Sequence, residues 1–524
     1  MTHFLRWGLL WSLILSGGWL WGKAPTPSHS FPDHLESWQN LPLAWTCTVD
    51  KLQGEEFTIT HNFHSTDTGI WIDWGDGSAP EAFHIQVTGT YYLTHTYHQA
   101  GLYTVSFYGC EDKIRTLALK HQHIQSLDIS GLSKLESISA GDQDITGSTR
   151  DMQSFIPPQT HSNHPLTLLD VRDNEIAGTL DVSDYPFLED LWLRNNNLIG
   201  LDVSNLPKLK NFRVGFNPLE GNLDISSSTN VEDIGVSDNA KTFDPSANRV
   251  NVILASSLQK LRRFYAYQGN LASNPLDFTT ADVLKTIRIT GTQLSGITLP
   301  TNRTVHPLET LSINDNDIQG VLDCQGFPSL SKLEIFNNDL LGVLSANLPA
   351  LTVFILGGNL LQGDIDIRQS TLIEQFGISS NGRIATLTNP TPVHIRLPVT
   401  MNELWNFQVY LGNFTTDHLD FSQAPKLEIL RIRDSKLKGI VFPTQLVYRS
   451  PPNRPPLDIV LSSNQINLTD LDALIAQVHS LVSTTNFLDG GIINLASNNP
   501  AVSTPASLQD LQSLQQTYQW TVTY

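Results

Sequence analysis

Leu166-Thr-Leu-Leu-Asp-Val-Arg-Asp-Asn174, Leu188-Glu-Asp-Leu-Trp-Leu-Arg-Asn-Asn196, Leu209-Lys-Asn-Phe-Arg-Val-Gly-Phe-Asn217 and Val231-Glu-Asp-Ile-Gly-Val-Ser-Asp-Asn239 are four versions of one frame, L-x-x-L-x-L-x-x-N. Their asparagines step by 22, 21 and 22 residues. After an insertion the frame resumes at Leu284, Ile287, Ile289 and Thr292 and runs on through Asn316, Asn338, Asn359 and Asn381, stepping again by 22, 21 and 22. Weaker turns end at Gln143, Gly269, Gly412 and Ser435, and late ones at Asn464 and Asn498. One period sustained over most of a 524-residue chain predicts a stacked array, not several ordinary domains.

The physics of a short strand assigns each place in the frame. Successive strand side chains point to opposite faces, so the first, fourth and sixth apolar residues turn inward while the third, fifth and seventh face solvent. Asparagine at the ninth place can bond backbone groups of adjacent turns where the chain leaves the strand, which builds a ladder. The frame resembles that of leucine-rich repeats, which implies a curved solenoid whose concave sheet carries the outward columns. Five or six residues after each asparagine comes a second apolar pair, as in Leu180-Asp-Val182, Leu201-Asp-Val203, Leu223-Asp-Ile225 and Ile365-Asp-Ile367. These predict a second strand on the opposite side. Asp181, Asp202, Asp224 and Asp366 would line its outer face, as a solvated acidic surface in preference to a cation column.

Near the C-terminus, Leu471, Leu474, Ile475, Val478 and Leu481 recur at helical spacing, as do Leu508, Leu511 and Leu514. A partly helical cap fits the open apolar end of such an array. Gly491-Ile-Ile-Asn-Leu-Ala-Ser-Asn-Asn-Pro500 and the closing Trp520-Thr-Val-Thr-Tyr524 resemble the final unit of bacterial surface proteins with leucine-rich repeats.

Ahead of the array, Phe57-Thr-Ile-Thr60, Gly69-Ile-Trp-Ile-Asp-Trp74 and Tyr103-Thr-Val-Ser-Phe107 alternate between turn signals, the pattern of an antiparallel sandwich. Ile72-Asp-Trp-Gly-Asp-Gly-Ser78, followed by His95-Thr-Tyr97 and Gly101-Leu-Tyr-Thr-Val105, resembles the paired signature of PKD domains. Gly75 and Gly77 can take positive φ and Asp76 can bond neighbouring amides, so the motif reads as structural. Asp73 and Asp76 fall short of the six to eight oxygens calcium takes. His95, His98 and Asp76 lack a serine on a nucleophile elbow.

The resulting organisation is a signal peptide over 1–25, a linker over 26–42, a PKD-like (Ig-like) β-sandwich over 43–119, a leucine-rich-repeat solenoid over 120–468, and final repeats with a cap over 469–524. The fold class is mainly β. The apolar run from Trp7 to Trp21 after Arg6, with a Pro-containing exit, fits a cleaved export segment better than a spanning helix. Cleavage between Gly17 and Ser30 would leave a secreted or cell-surface chain without a transmembrane segment. Export permits one bridge, and Cys47 and Cys110 bracket the sandwich, but sequence cannot place them within bonding reach; Cys324 reads as a buried thiol. Three cysteines exclude a disulfide scaffold and a cysteine metal site. A net charge of −19 disfavours nucleic acid as a partner.

Seven of the 18 arginines fall in the outward columns: Arg172, Arg194, Arg213, Arg263, Arg288, Arg431 and Arg433. Trp192, Tyr265, Tyr267, Phe336 and Tyr410 intersperse them. Arginine and aromatic residues dominate binding hot spots, so these twelve residues are the expected ligand-binding surface. Strand-compatible solubilising residues are the bland alternative. The reading is a monomeric, non-enzymatic binding or adhesion protein for an extracellular protein or glycan, an acidic one suiting the charge. No cofactor, metal or catalytic residue is expected, because the carboxylates lack an acid–base context. The rival reading is an accessory carbohydrate-binding or structural component of a secreted hydrolytic or envelope system.

Overall fold

A computed structural model describes residues 38–64, 68–141, 151–159, 163–236, 249–267, 270–271, 275–379, 391–410, 418–447, 457–484, 490–497 and 502–524. The export segment over 1–25, most of the linker over 26–42, and the repeat positions Gln143, Asn239, Gly269, Asn381, Gly412 and Asn498 lie outside the described residues. Two compact units form: Met1–Ala177 with Asp184–Leu188 and Asn195–Asn197, and Gly178–Ser183 with Glu189–Arg194 and Leu198–Tyr524.

The first unit begins with β1 (Leu43–Lys51), β2 (Glu56–Phe63), β3 (Thr68–Asp73), β4 (Glu81–Ile85), β5 (Gly89–Thr96), β6 (Gly101–Tyr108) and β7 (Ile114–Ala118). They make two antiparallel layers, β4-β3-β6-β1 and β5-β2-β7. Alternation buries Phe57, Ile59, His61 and Phe63 of one layer. The His61 ring lies 5.5 Å from Trp45 and 5.3 Å from Phe107 of the other. Both layers then continue into parallel strands. β8 (Ile124–Asp128) pairs with β1 and with β10 (Ser154–Ile156), while β7 pairs with β9 (Ser137–Ser139) and β9 with β11 (Leu168–Asp170). Backbone hydrogen bonds therefore run unbroken from the sandwich into the first repeats.

The W-G-D-G segment is a turn locked from several sides. Gly75 has φ +78°, and a Cβ there would sit 2.3 Å from the Thr104 carbonyl oxygen. The Asp76 carboxylate accepts from the Ser78 amide at 3.0 Å and meets His95 Nε2 at 2.8 Å. Trp74 stacks on His95 at 4.8 Å, and the Tyr97 hydroxyl donates to the Trp74 carbonyl at 3.0 Å. Cys47 and Cys110 are separate buried thiols, as is Cys324, and burial pushes all three thiols up.

In the second unit, fourteen described strands from Asp190–Trp192 to Thr521–Thr523 pair in parallel, in chain order, into one long sheet. The frame predicts the register: Tyr265, Arg288, Ser312, Glu334, Ile355, Gly377, Gln408 and Arg431, all fifth-place residues, are successive partners. First-, fourth- and sixth-place residues are buried, and Phe354, Phe376 and Phe407 stack at 5.4 and 4.7 Å. The asparagines form the ladder. Asn217 donates to the Leu193 carbonyl at 2.9 Å and accepts from the Leu198 amide at 3.1 Å; Asn338 and Asn359 donate to Ile313 and Ile335 in the same way.

The first residue of each second apolar pair lies on a short strand, such as Gly221–Asp224 or Gly363–Asp366, and the other follows the strand's end. Their aspartates close turns: Asp181, Asp202, Asp224 and Asp366 accept from the amide two residues on, at 2.9 to 3.1 Å. Two helices follow, α1 (Leu468–Thr484) and α2 (Pro505–Thr517). Val482 rather than Leu481 is buried in α1, and Ser507 rather than Leu508 in α2. Thr504 caps α2, and with Ser507 it donates to Asp472 of α1, which fixes the rotation of α2 about its axis.

Candidate functional site

The outward columns of the second unit gather around a buried acid. The strands Asn211–Arg213, Asp233–Gly235, Arg263–Tyr267 and Thr286–Thr290 are neighbours, with Arg213 opposite Gly235, Gly235 opposite Tyr265, and Tyr265 opposite Arg288. Asp233, at a third place, is 2% exposed. Its Oδ2 accepts from Arg213 Nη2 at 2.5 Å and from Arg263 Nε at 2.7 Å. One carboxylate thus orients two guanidinium groups from the strands on either side of it.

Gly235 makes this possible. A Cβ there would lie 2.8 Å from Arg213 Cδ and 2.9 Å from Nη1, so only glycine leaves the path along which Arg213 crosses the strand. The Arg213 guanidinium carbon ends 5.3 Å from the centre of the Tyr265 ring, which stacks on Tyr267 at 6.3 Å. Burial and then Asp233 push the Tyr265 hydroxyl up, against the pull of Arg263, Arg288 and Arg213. The two tyrosines are half-buried, while Arg288 is exposed and has no ion-pair partner among the described residues. The patch carries three arginines to one carboxylate, a surplus of positive charge beside an aromatic pair.

Next to it, Trp192 is the register partner of Arg213, and the Arg194 guanidinium lies 4.9 Å over the Phe216 ring. Phe216 occupies the eighth place of its frame with φ 61°. The same place holds Asn195, Asp315, Asn337, Asp434 and Ser463, also at positive φ. Small polar residues tolerate that left-handed conformation; a phenylalanine there is strained.

Further along the sheet, Arg431 closes on the buried Asp458, and Arg433 lies 5.5 Å over the Tyr410 ring. Phe336 is half-buried, its amide donating to Asn314 at 3.1 Å. Arg172 belongs to the first unit, where it and Lys120 flank the buried Asp170 at 3.3 and 3.4 Å. Of the twelve expected residues, Arg213, Arg263, Tyr265, Tyr267 and Arg288 come together on adjacent strands; Tyr410, Arg431 and Arg433 form a smaller group. The residues that sequence reading missed are Asp233, Gly235 and Phe216. Asp233 and Gly235 were hidden because the frame counts outward places without pairing their charges or sizes. Phe216 was legible as a bulky residue in a column made mostly of turn formers.

Among the described residues no group of three His, Cys, Asp or Glu side chains is placed to hold a metal ion, and no helix is long and apolar enough to cross a membrane.

No family model and no curated protein matches the sequence. Similar solved structures include the functional domain of InlJ from Listeria monocytogenes, 18% identical over 73% of each chain with TM-score 0.39. An internalin, inlF, from Listeria monocytogenes is 18% identical, with TM-score 0.36, over 66% of this chain and 84% of that one. The Arabidopsis receptor kinase HAESA, solved in complex with the peptide hormone IDA and the co-receptor SERK1, is 18% identical over 70% of this chain and 63% of its own, with TM-score 0.37. By its own register and asparagine ladder, the second unit has the fold of a leucine-rich-repeat array, parallel strands stacked in chain order.

Proposed function

We propose that this chain is an exported or cell-surface binding protein that holds an acidic extracellular protein or glycan against Arg213, Arg263, Tyr265, Tyr267 and Arg288. The observation that carries the reading is the buried Asp233 clamping two arginines beside a tyrosine pair. Arginines fixed in advance lose less side-chain freedom on binding, and arginine with tyrosine is the composition of binding hot spots. Trp192 and Arg194 extend the patch, and Phe336, Tyr410, Arg431 and Arg433 offer a second contact region. Arg172 joins the set by its column alone. The role is non-enzymatic, the N-terminal sandwich is of PKD type, and residues 1–25 direct export.

The test is a pull-down from cell-surface extracts alongside an array of acidic glycans, repeated with Arg288→Glu, Trp192→Ala and Tyr267→Ala. Arg288→Glu is expected to weaken the partner most at low salt, where attraction is least screened. Truncating Trp192 or Tyr267 is expected to cost about 2 kcal/mol of binding on hot-spot grounds. Full affinity in all three variants would remove the ligand from this face.

A further inference from the structure

We propose a second ligand subsite on the same sheet, a depression between Ile355 and Tyr410 that takes one uncharged sugar ring. It goes beyond the reading above: it shares Tyr410 and Arg433 with the second contact region, but it takes a neutral ligand and uses none of the arginines around Asp233.

The depression is written in the outward columns. Three neighbouring strands, Val353–Ile355, Gln375–Ser379 and Asn406–Tyr410, run in register, with Ile355 opposite Gly377, Gly377 opposite Gln408, and Ser379 opposite Tyr410. At Gly357, Gly377 and Ser379 the side chains all but vanish, so the sheet surface drops between larger neighbours. The space is about 190 Å³. None of its lining residues carries a charge.

Two polar groups at its rim are unspent. Along one strand the Tyr410 hydroxyl donates to Gln408 Oε1 at 3.4 Å, and Gln408 Nε2 donates to Asn406 Oδ1 at 2.9 Å. This relay fixes the three side chains and leaves the Asn406 amide nitrogen without a partner among the described residues. The Gln375 side-chain amide, on the neighbouring strand, has none either. Arg433 over the Tyr410 ring holds the aromatic wall in place.

These features select the ligand. A pyranose offers hydroxyl pairs that planar amides can both donate to and accept from, and a C–H face that suits an aromatic wall. The lining itself carries no charge; of the two arginines beside Tyr410, Arg431 is closed on Asp458 and Arg433 lies over the tyrosine ring. A peptide adding as a strand needs an open sheet edge, whereas all three strands here are paired on both sides.

The experiment titrates the full chain with neutral oligosaccharides of glucose, mannose and galactose and with their uronic-acid counterparts. Wild type is compared with Gly377→Val, Asn406→Ala and Arg288→Ala. A Cβ at Gly377 would meet Ile355 at an ordinary 3.7 Å, so the valine fills the floor without disturbing the strand. A neutral saccharide is expected to bind, with about tenfold loss in Gly377→Val and Asn406→Ala and no change in Arg288→Ala. The proposal is overturned if no neutral saccharide binds, if only the uronates bind, or if both depression variants bind like wild type. Failure of the arginine patch would appear separately, as acidic partners indifferent to Arg288→Ala.

Discussion

The guanidinium carbon of Arg213 lies 5.3 Å from the ring centre of Tyr265, two strands away, because Gly235 between them has no side chain. Gly235→Val should push Arg213 off the ring and out of reach of Asp233. The clash is with the flexible end of a side chain, not with backbone, so folding should survive. Binding of an acidic partner is expected to fall by about 1 kcal/mol, the scale of one cation–π contact together with lost pre-ordering. Titration of wild type and variant at equal, low ionic strength measures this; an unchanged Kd would mean that Arg213 does not act from this position.

Phe216 sits at φ 61° under Arg194. Phe216→Asn relieves about 1 to 2 kcal/mol of left-handed strain and gives up a cation–π contact and a half-buried ring of similar total worth. Stability should therefore change by less than about 1 kcal/mol in denaturant titration. Partner binding should weaken, because Arg194 loses the ring that holds its guanidinium in place. A large gain in stability with undiminished binding would make Phe216 an unselected defect.

Asn196 is fully buried, donates to the Val171 carbonyl at 3.0 Å and accepts from the Ile176 amide at 3.0 Å. Asn196→Ala strands both backbone groups away from water, so it should cost about 1 to 3 kcal/mol of stability. An unaltered denaturation midpoint would remove Asn196 from the ladder.

His61 is fully buried among Trp45, Phe63 and Phe107, and neither ring nitrogen has a hydrogen-bond partner among the described residues. Burial pushes its imidazole down to about 3 from the ordinary 6.5. The folded form excludes a proton that the unfolded chain takes up below pH 6.5. The penalty is thus absent above that pH and grows as pH falls towards 3. At two units below 6.5 it amounts to about 2 to 3 kcal/mol. His61→Phe should remove this part of the acid sensitivity, which parallel unfolding curves at neutral pH and near pH 4.5 would reveal. Equal acid sensitivity in both proteins would mean that the ring is protonated in the folded state.

What the sequence determined by itself is everything that repeats along the chain. The spacing of Leu188, Leu191 and Leu193 before Asn196 sets which side chains turn inward, because strand alternation and the 21 to 22 step are local properties of the backbone. The same logic places Arg213, Tyr265 and Arg288 in one outward column. What only the tertiary structure decided is how those outward side chains use one another. Asp233 and Arg263 are 30 residues apart, across an insertion that breaks the count, so nothing local marks them as partners. The depression at Gly377 and the unbonded His61 are likewise products of side chains from separate strands meeting in space. Their energies depend on the volume and charge left between strands, which no single stretch of sequence contains.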